Sequence, residues 1–198
     1  MNRLVANGFL VQGLSDYTNF IKNFSYSGIN AFYQFPLTYI NNPEYRKLTN
    51  EQQSKKIADN QYQSLEFISD LDLLKRYVSC CLKHKINIRI LFVESFYSYE
   101  VWQEPLFETD FLGYEYCPIP IDERIVTDLD WYAPFSKFWV KLNKNGLFNT
   151  YADALDFKNA YDSACNNNEI GDGEMDAYIF RVSEIPMDRI EQKLSLKL

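Results

Sequence analysis

The sequence predicts an α+β fold: one domain over residues 1–198, with N-terminal helices packed on a small, mainly antiparallel sheet and a helix-Gly-helix junction near 135–165. Three observations carry this expectation. Apolar residues recur at helical spacing through the first half of the chain, at Tyr17, Phe20, Ile21 and Phe24 and again from Ile57 to Val78. Short runs at 86–94, 111–117 and 176–185 alternate as strands do, or are apolar on both faces. Irregular segments, not regular crossover helices, separate those runs, which argues against a βαβ repeat. No internal repeat, low-complexity tract or Gly/Ser linker divides the chain. At this length a domain removes roughly 70% of its unfolded surface from water, so folding requires neither disulfides nor a metal.

Taken in order, Leu4 to Val11 reads as a strand that Asn7-Gly8 divides, and Ser15 caps a short amphipathic helix over 16–24. Asn41-Asn42-Pro43 reads as a turn. Thr49 and Gln52 have the spacing of a capping box and predict a helix start near Asn50, running to Lys83 with a restart at Ser69-Asp70. Lys83, His84 and Lys85 fall in its last turn, where positive charge complements the helix dipole.

INIRILFVE, residues 86–94, becomes apolar on both faces toward Glu94 and predicts a central strand. FLGYEYC, residues 111–117, is a second strand, stopped by Pro118 and Pro120. Phe135, Phe138, Trp139 and Leu142 give the next helix its apolar stripe, Gly146 takes its C′ position, and Asn149 or Thr150 caps the helix that follows. DAYIFRVSEI, residues 176–185, is the last strand, ended by Pro186, and Met187–Leu194 suits a short helix.

The charge is uneven. The net charge is -7, yet residues 90–136 hold ten acidic residues and one basic residue, Arg124, a balance of -9 that leaves +2 elsewhere. The same stretch is dense in Phe, Tyr and Trp, so it is too apolar for a disordered acidic tail. It predicts a folded surface on which Glu100, Glu104, Glu108, Asp110, Glu115, Asp128 and Asp130 meet a basic protein, with Tyr97, Tyr99 and Trp102 as anchors. The bland alternative is a solvated acidic face over an aromatic core. Direct nucleic-acid binding is disfavoured, because affinity for phosphate needs a basic patch. No run of eighteen apolar residues predicts a membrane span. Residues 1–30 show no secretory pattern and the four cysteines form no framework, which predicts a cytoplasmic protein with reduced thiols.

Candidate chemistry is sparse. His84 is the sole histidine, and its place between two lysines at a helix end suits a capping role. Cys80 and Cys81 precede it by four and three residues and Cys-x-x-His could supply two ligands, but a structural zinc site needs four and the other cysteines offer no matching pair, so no metal is expected. NNNEIGDGEMD, residues 166–176, begins like a calcium loop, yet the twelfth position is Ala177 where a bidentate Glu belongs. The chain has no Gly-rich phosphate loop, G-x-S-x-G or H-E-x-x-H, so neither catalysis nor a cofactor is predicted.

Leu112-Gly113-Tyr114-Glu115 and Leu142-Asn143-Lys144-Asn145-Gly146-Leu147-Phe148 are similar to motifs of small, acidic bacterial immunity-type proteins of polymorphic toxin systems. The matched stretches lie in the C-terminal half and are structural in character. The resemblance implies a non-enzymatic module that neutralises a basic toxin domain by covering its active or nucleic-acid-binding surface. The rival from another class is a small carboxylate-dependent hydrolase or transferase. A third reading is a phage or host regulatory adaptor.

Overall fold

The structure is a computed structural model that describes residues 5–13, 42–58, 67–68, 70–95, 108–117, 133–143, 145–170 and 178–194. Its elements are β1 (Val5–Gly13), α1 (Pro43–Ala58), α2 (Leu71–Lys83), β2 (Ile88–Ser95), β3 (Asp110–Cys117), α3 (Ser136–Trp139, entered through a 3-10 turn at Ala133–Phe135), α4 (Tyr151–Asn166), β4 (Tyr178–Ile185) and α5 (Met187–Leu194). The strands form one antiparallel sheet in the order β1-β2-β4-β3. The α+β class is therefore as the sequence predicts, with β2 and β4 central. The predicted helix over 16–24 lies outside the described residues.

Asn7-Gly8 does not end β1. The register shifts between Ala6 and Gly8, so the strand bulges there and continues to Gly13. The start of α1 is a correction to the predicted capping box. Asn42 Oδ1 accepts the N–H groups of Glu44 and Tyr45, at 2.9 and 3.1 Å, and Pro43 begins the helix with no N–H to orphan. That combination starts the helix well before Thr49. Thr49 is interior, its hydroxyl donating to the Tyr45 carbonyl, and Gln52 is buried. The helical stripe read through Ile68 is also broken, because Ile68 is extended and pairs with Phe9.

The restart at Asp70 is as expected: Asp70 Oδ1 accepts from Asp72 N at 2.7 Å and Leu73 N at 3.1 Å. His84 closes α2 as its C-cap. The Lys85 N–H reaches the Leu82 carbonyl and the Ile86 N–H reaches the Cys81 carbonyl, with Lys85 left-handed at φ 55°.

The junction at 141–150 differs from its prediction. α3 ends at Trp139, so Gly146 (φ 68°) serves a separate turn and not a helix C-terminus. Asn143 organises that turn. Its Oδ1 accepts from Asn145 N and Leu147 N, its own N–H donates to the Leu147 carbonyl, and its Nδ2 donates to the Leu112 carbonyl on β3. Side-chain bonding of this kind competes with continued helix. Thr150 then caps α4.

Two apolar clusters back the helices. Phe9, Ile88, Ile90, Phe92 and Ile185 pack against Leu74, Val78 and Cys81 of α2 and Ile190 of α5. Tyr116 and Ile179 pack under α4, where Phe157 lies 5.2–5.7 Å from the rings of Phe138, Phe135 and Phe148. Leu91, Val93, Phe180 and Val182 form a third cluster with Phe67 and Leu147. Among the described residues most of the aromatic side chains are thus core, at roughly 2–3 kcal/mol for each fully buried Phe.

Candidate partner-binding surface

The predicted surface enters the described structure where β3 begins. Antiparallel pairing sets Phe111 opposite Ser183 and Tyr114 opposite Arg181, and sets Arg181 opposite Glu94 on β2. Arg181 pairs with the Glu94 carboxylate, and its guanidinium carbon lies 5.1 Å from the Phe111 ring centroid. The ring is therefore held by a cation that is itself neutralised. Phe111 also meets Tyr114 edge-on at 5.3 Å, and Tyr114 meets Tyr151 at 5.9 Å. Phe111 remains 45% exposed, one of three exposed large apolar side chains among the described residues, with Ile57 and Val140.

Glu108 and Asp110 precede Phe111 in the chain and are both exposed. Arg189 of α5 lies 3.6 Å from Glu108 and 3.8 Å from Asp110, distances of loose, solvated pairing. Asp110 directly precedes Phe111 in the strand and so points to the opposite face; the described part of this segment holds an exposed ring and two exposed carboxylates.

Glu115 does not belong to the predicted surface. It is 2% exposed, because its register opposite Phe180 turns it toward the third apolar cluster. Alternation along the strand would have shown that it faces away from Tyr114 and Tyr116. Tyr97, Tyr99, Glu100, Trp102, Glu104, Asp128 and Asp130 lie outside the described residues. Phe111 is the residue that sequence reasoning missed. Its place in a strand suggested core, and only its position at the start of an edge strand exposes it.

Register sets Asp110 opposite Glu184 on the sheet, and two acids of the central strands are each matched with an arginine. Glu94 faces Arg181 and Glu184 faces Arg89, each acid matched by a guanidinium from the neighbouring strand. No helix among the described residues is long and apolar enough to cross a membrane.

In comparison with known proteins, no family model, no curated protein and no solved structure matches this chain.

Proposed function

We infer that this chain is a non-enzymatic protein-binding module that neutralises a basic protein partner, of the immunity type that its motifs resemble. The observation that carries the reading is Phe111, exposed at the start of β3 in the segment that also holds the exposed carboxylates of Glu108 and Asp110. An exposed aromatic anchor in an acid-rich segment suits a basic partner. The balance of -9 over residues 90–136 extends that charge well beyond these two residues.

The mechanism is occlusion. Glu100, Glu104, Glu108, Asp110, Asp128 and Asp130 meet Lys and Arg side chains at the partner's active or nucleic-acid-binding surface, while Tyr97, Tyr99, Trp102 and Phe111 bury against it. Long-range attraction speeds encounter, and desolvated charge pairs at such an interface are worth roughly 1.5–7 kcal/mol.

The test begins with co-purification from native lysate, followed by titration of the identified partner at low and high salt. A basic partner is expected, with association that slows as salt rises. Glu100→Lys, Glu104→Lys and Glu108→Lys together should lower the association rate at least 10-fold and flatten its salt dependence. A partner without basic character, or one bound equally by the triple variant, overturns the reading.

A further inference from the structure

The helix termini bring together three side chains that the sequence keeps apart. Cys80 and His84 are one turn apart on α2 and share a face. Glu44 belongs to the first turn of α1, placed there by the Asn42 cap. The Cys80 Sγ, a His84 ring nitrogen and a Glu44 carboxylate oxygen all lie within 4.8 Å of one another. This is the one such donor group among the described residues.

We propose that Glu44, Cys80 and His84 form a zinc site that clamps the start of α1 to the end of α2. The donors are one sulfur, one nitrogen and one oxygen, a mixture that suits a borderline-soft divalent ion better than calcium or magnesium. With the usual bond lengths, tetrahedral donors stand roughly 3.3–3.7 Å apart. His84 Nε2 and Glu44 Oε2 are already 3.0 Å apart. All three donors stand within 4.8 Å of one another, so closure takes side-chain adjustment and no change of backbone.

The surroundings agree with this assignment. Cys80 is 2% exposed, and burial, then the nearby Glu44 carboxylate, raise its thiol above the ordinary value. Such a sulfur is a poor nucleophile. A divalent cation reverses the balance, since coordination deprotonates a thiol outright. The bound ion would sit at the C-terminal end of α2, where the helix dipole favours positive charge. Lys83 now holds Glu44 Oε2 at 2.8 Å, but its side chain is 64% exposed and free to turn into water. Three protein ligands leave the fourth position to water, the arrangement of an open site.

Binding releases the Cys80 proton to solvent. Affinity therefore rises with pH. The missing signal in the sequence was the third ligand: Glu44 precedes Cys80 by most of two helices, and only the packing of α1 on α2 joins them.

The experiment is titration of phosphine-reduced protein with Co2+, followed by displacement with Zn2+. One equivalent should produce a thiolate-to-cobalt charge-transfer band with tetrahedral d–d absorption. Cys80→Ser, His84→Gln and Glu44→Gln should each weaken binding at least 10-fold, whereas Cys81→Ser and Cys165→Ser should retain it. His84→Gln and Glu44→Gln alter exposed side chains, so they carry the test should Cys80→Ser fail to fold. Zn2+ should also raise the melting temperature of the parent and leave that of His84→Gln unchanged. Absence of the cobalt bands, or equal binding by the His84 and Glu44 variants, overturns the proposal.

Discussion

Tyr114 and Phe148 exchange both of their backbone hydrogen bonds, each 2.8 Å long, so one residue of the α3–α4 connection pairs with the outer edge of β3. The opposite edge is treated alike: Phe9 of β1 exchanges two bonds of 2.9 Å with Ile68. In each case a glycine at a bulge immediately precedes the paired residue, Gly113 before Tyr114 and Gly8 before Phe9. Edge strands are natural templates for strand addition, and single-residue bridges beside a bulge interrupt them. At these two points the edges are already paired and not open to strand addition.

The bridges explain why glycine is needed. At Gly113 (φ 150°) an added Cβ would stand 2.5 Å from Leu147 Cβ and 2.8 Å from the Phe148 carbonyl oxygen. Neither neighbour can withdraw, since Leu147 is buried and Phe148 is held by Tyr114. Gly113→Ala should lower stability by about 2–4 kcal/mol, combining backbone strain with overpacking. Urea unfolding should show an earlier midpoint at an unchanged slope. A midpoint equal to the parent's would mean that the connection does not approach β3 this closely.

Lys85 offers the opposite effect. It is left-handed at φ 55°, a conformation that costs a residue with a Cβ roughly 1–2 kcal/mol. Its side chain is exposed, so nothing in the core depends on it. Lys85→Gly should stabilise the fold by about 0.5–1 kcal/mol. Asn168, left-handed at φ 54° after α4, is the internal comparison. Asn tolerates this region, so Asn168→Gly should gain less. Thermal melting of the two variants should rank them in that order.

Gln52 ties three elements together from a buried position, 5% exposed. Its Nε2 donates to the Phe67 carbonyl at 2.7 Å, and its Oε1 accepts from the Tyr77 hydroxyl at 3.0 Å. Gln52→Met keeps the volume and removes both bonds, at a cost of about 1–3 kcal/mol. Tyr77 OH still reaches Thr49 Oγ1 at 3.2 Å. Tyr77→Phe should therefore cost less in the Gln52→Met background than alone, a coupling that a double-mutant cycle with urea unfolding measures. Strict additivity would show that the two side chains do not act as a unit.

Where local chemistry decides structure, the sequence was a sound guide. Asp70 caps α2, Pro186 ends β4, Met187–Leu194 forms α5, and the run toward Glu94 is a central strand, because each depends on neighbours within a few residues. The same holds for Thr150 at the start of α4. Competition between local signals was less legible. Thr49 and Gln52 had the spacing of a cap, but Asn42 and Pro43 supplied a better one earlier, and Gln52 was then taken by Phe67 and Tyr77.

By itself the sequence determined the fold class, the order of strands and helices along the chain, and the concentration of acid and aromatic residues in one segment. Only the tertiary structure decided which residues meet across long separations. It set Glu44 beside Cys80 and His84, pressed Leu147 onto Gly113, buried Glu115 and exposed Phe111. The reason is physical: periodicity and caps act over a turn or two, whereas register across a sheet and the packing of one helix on another follow from the burial of many apolar side chains at once.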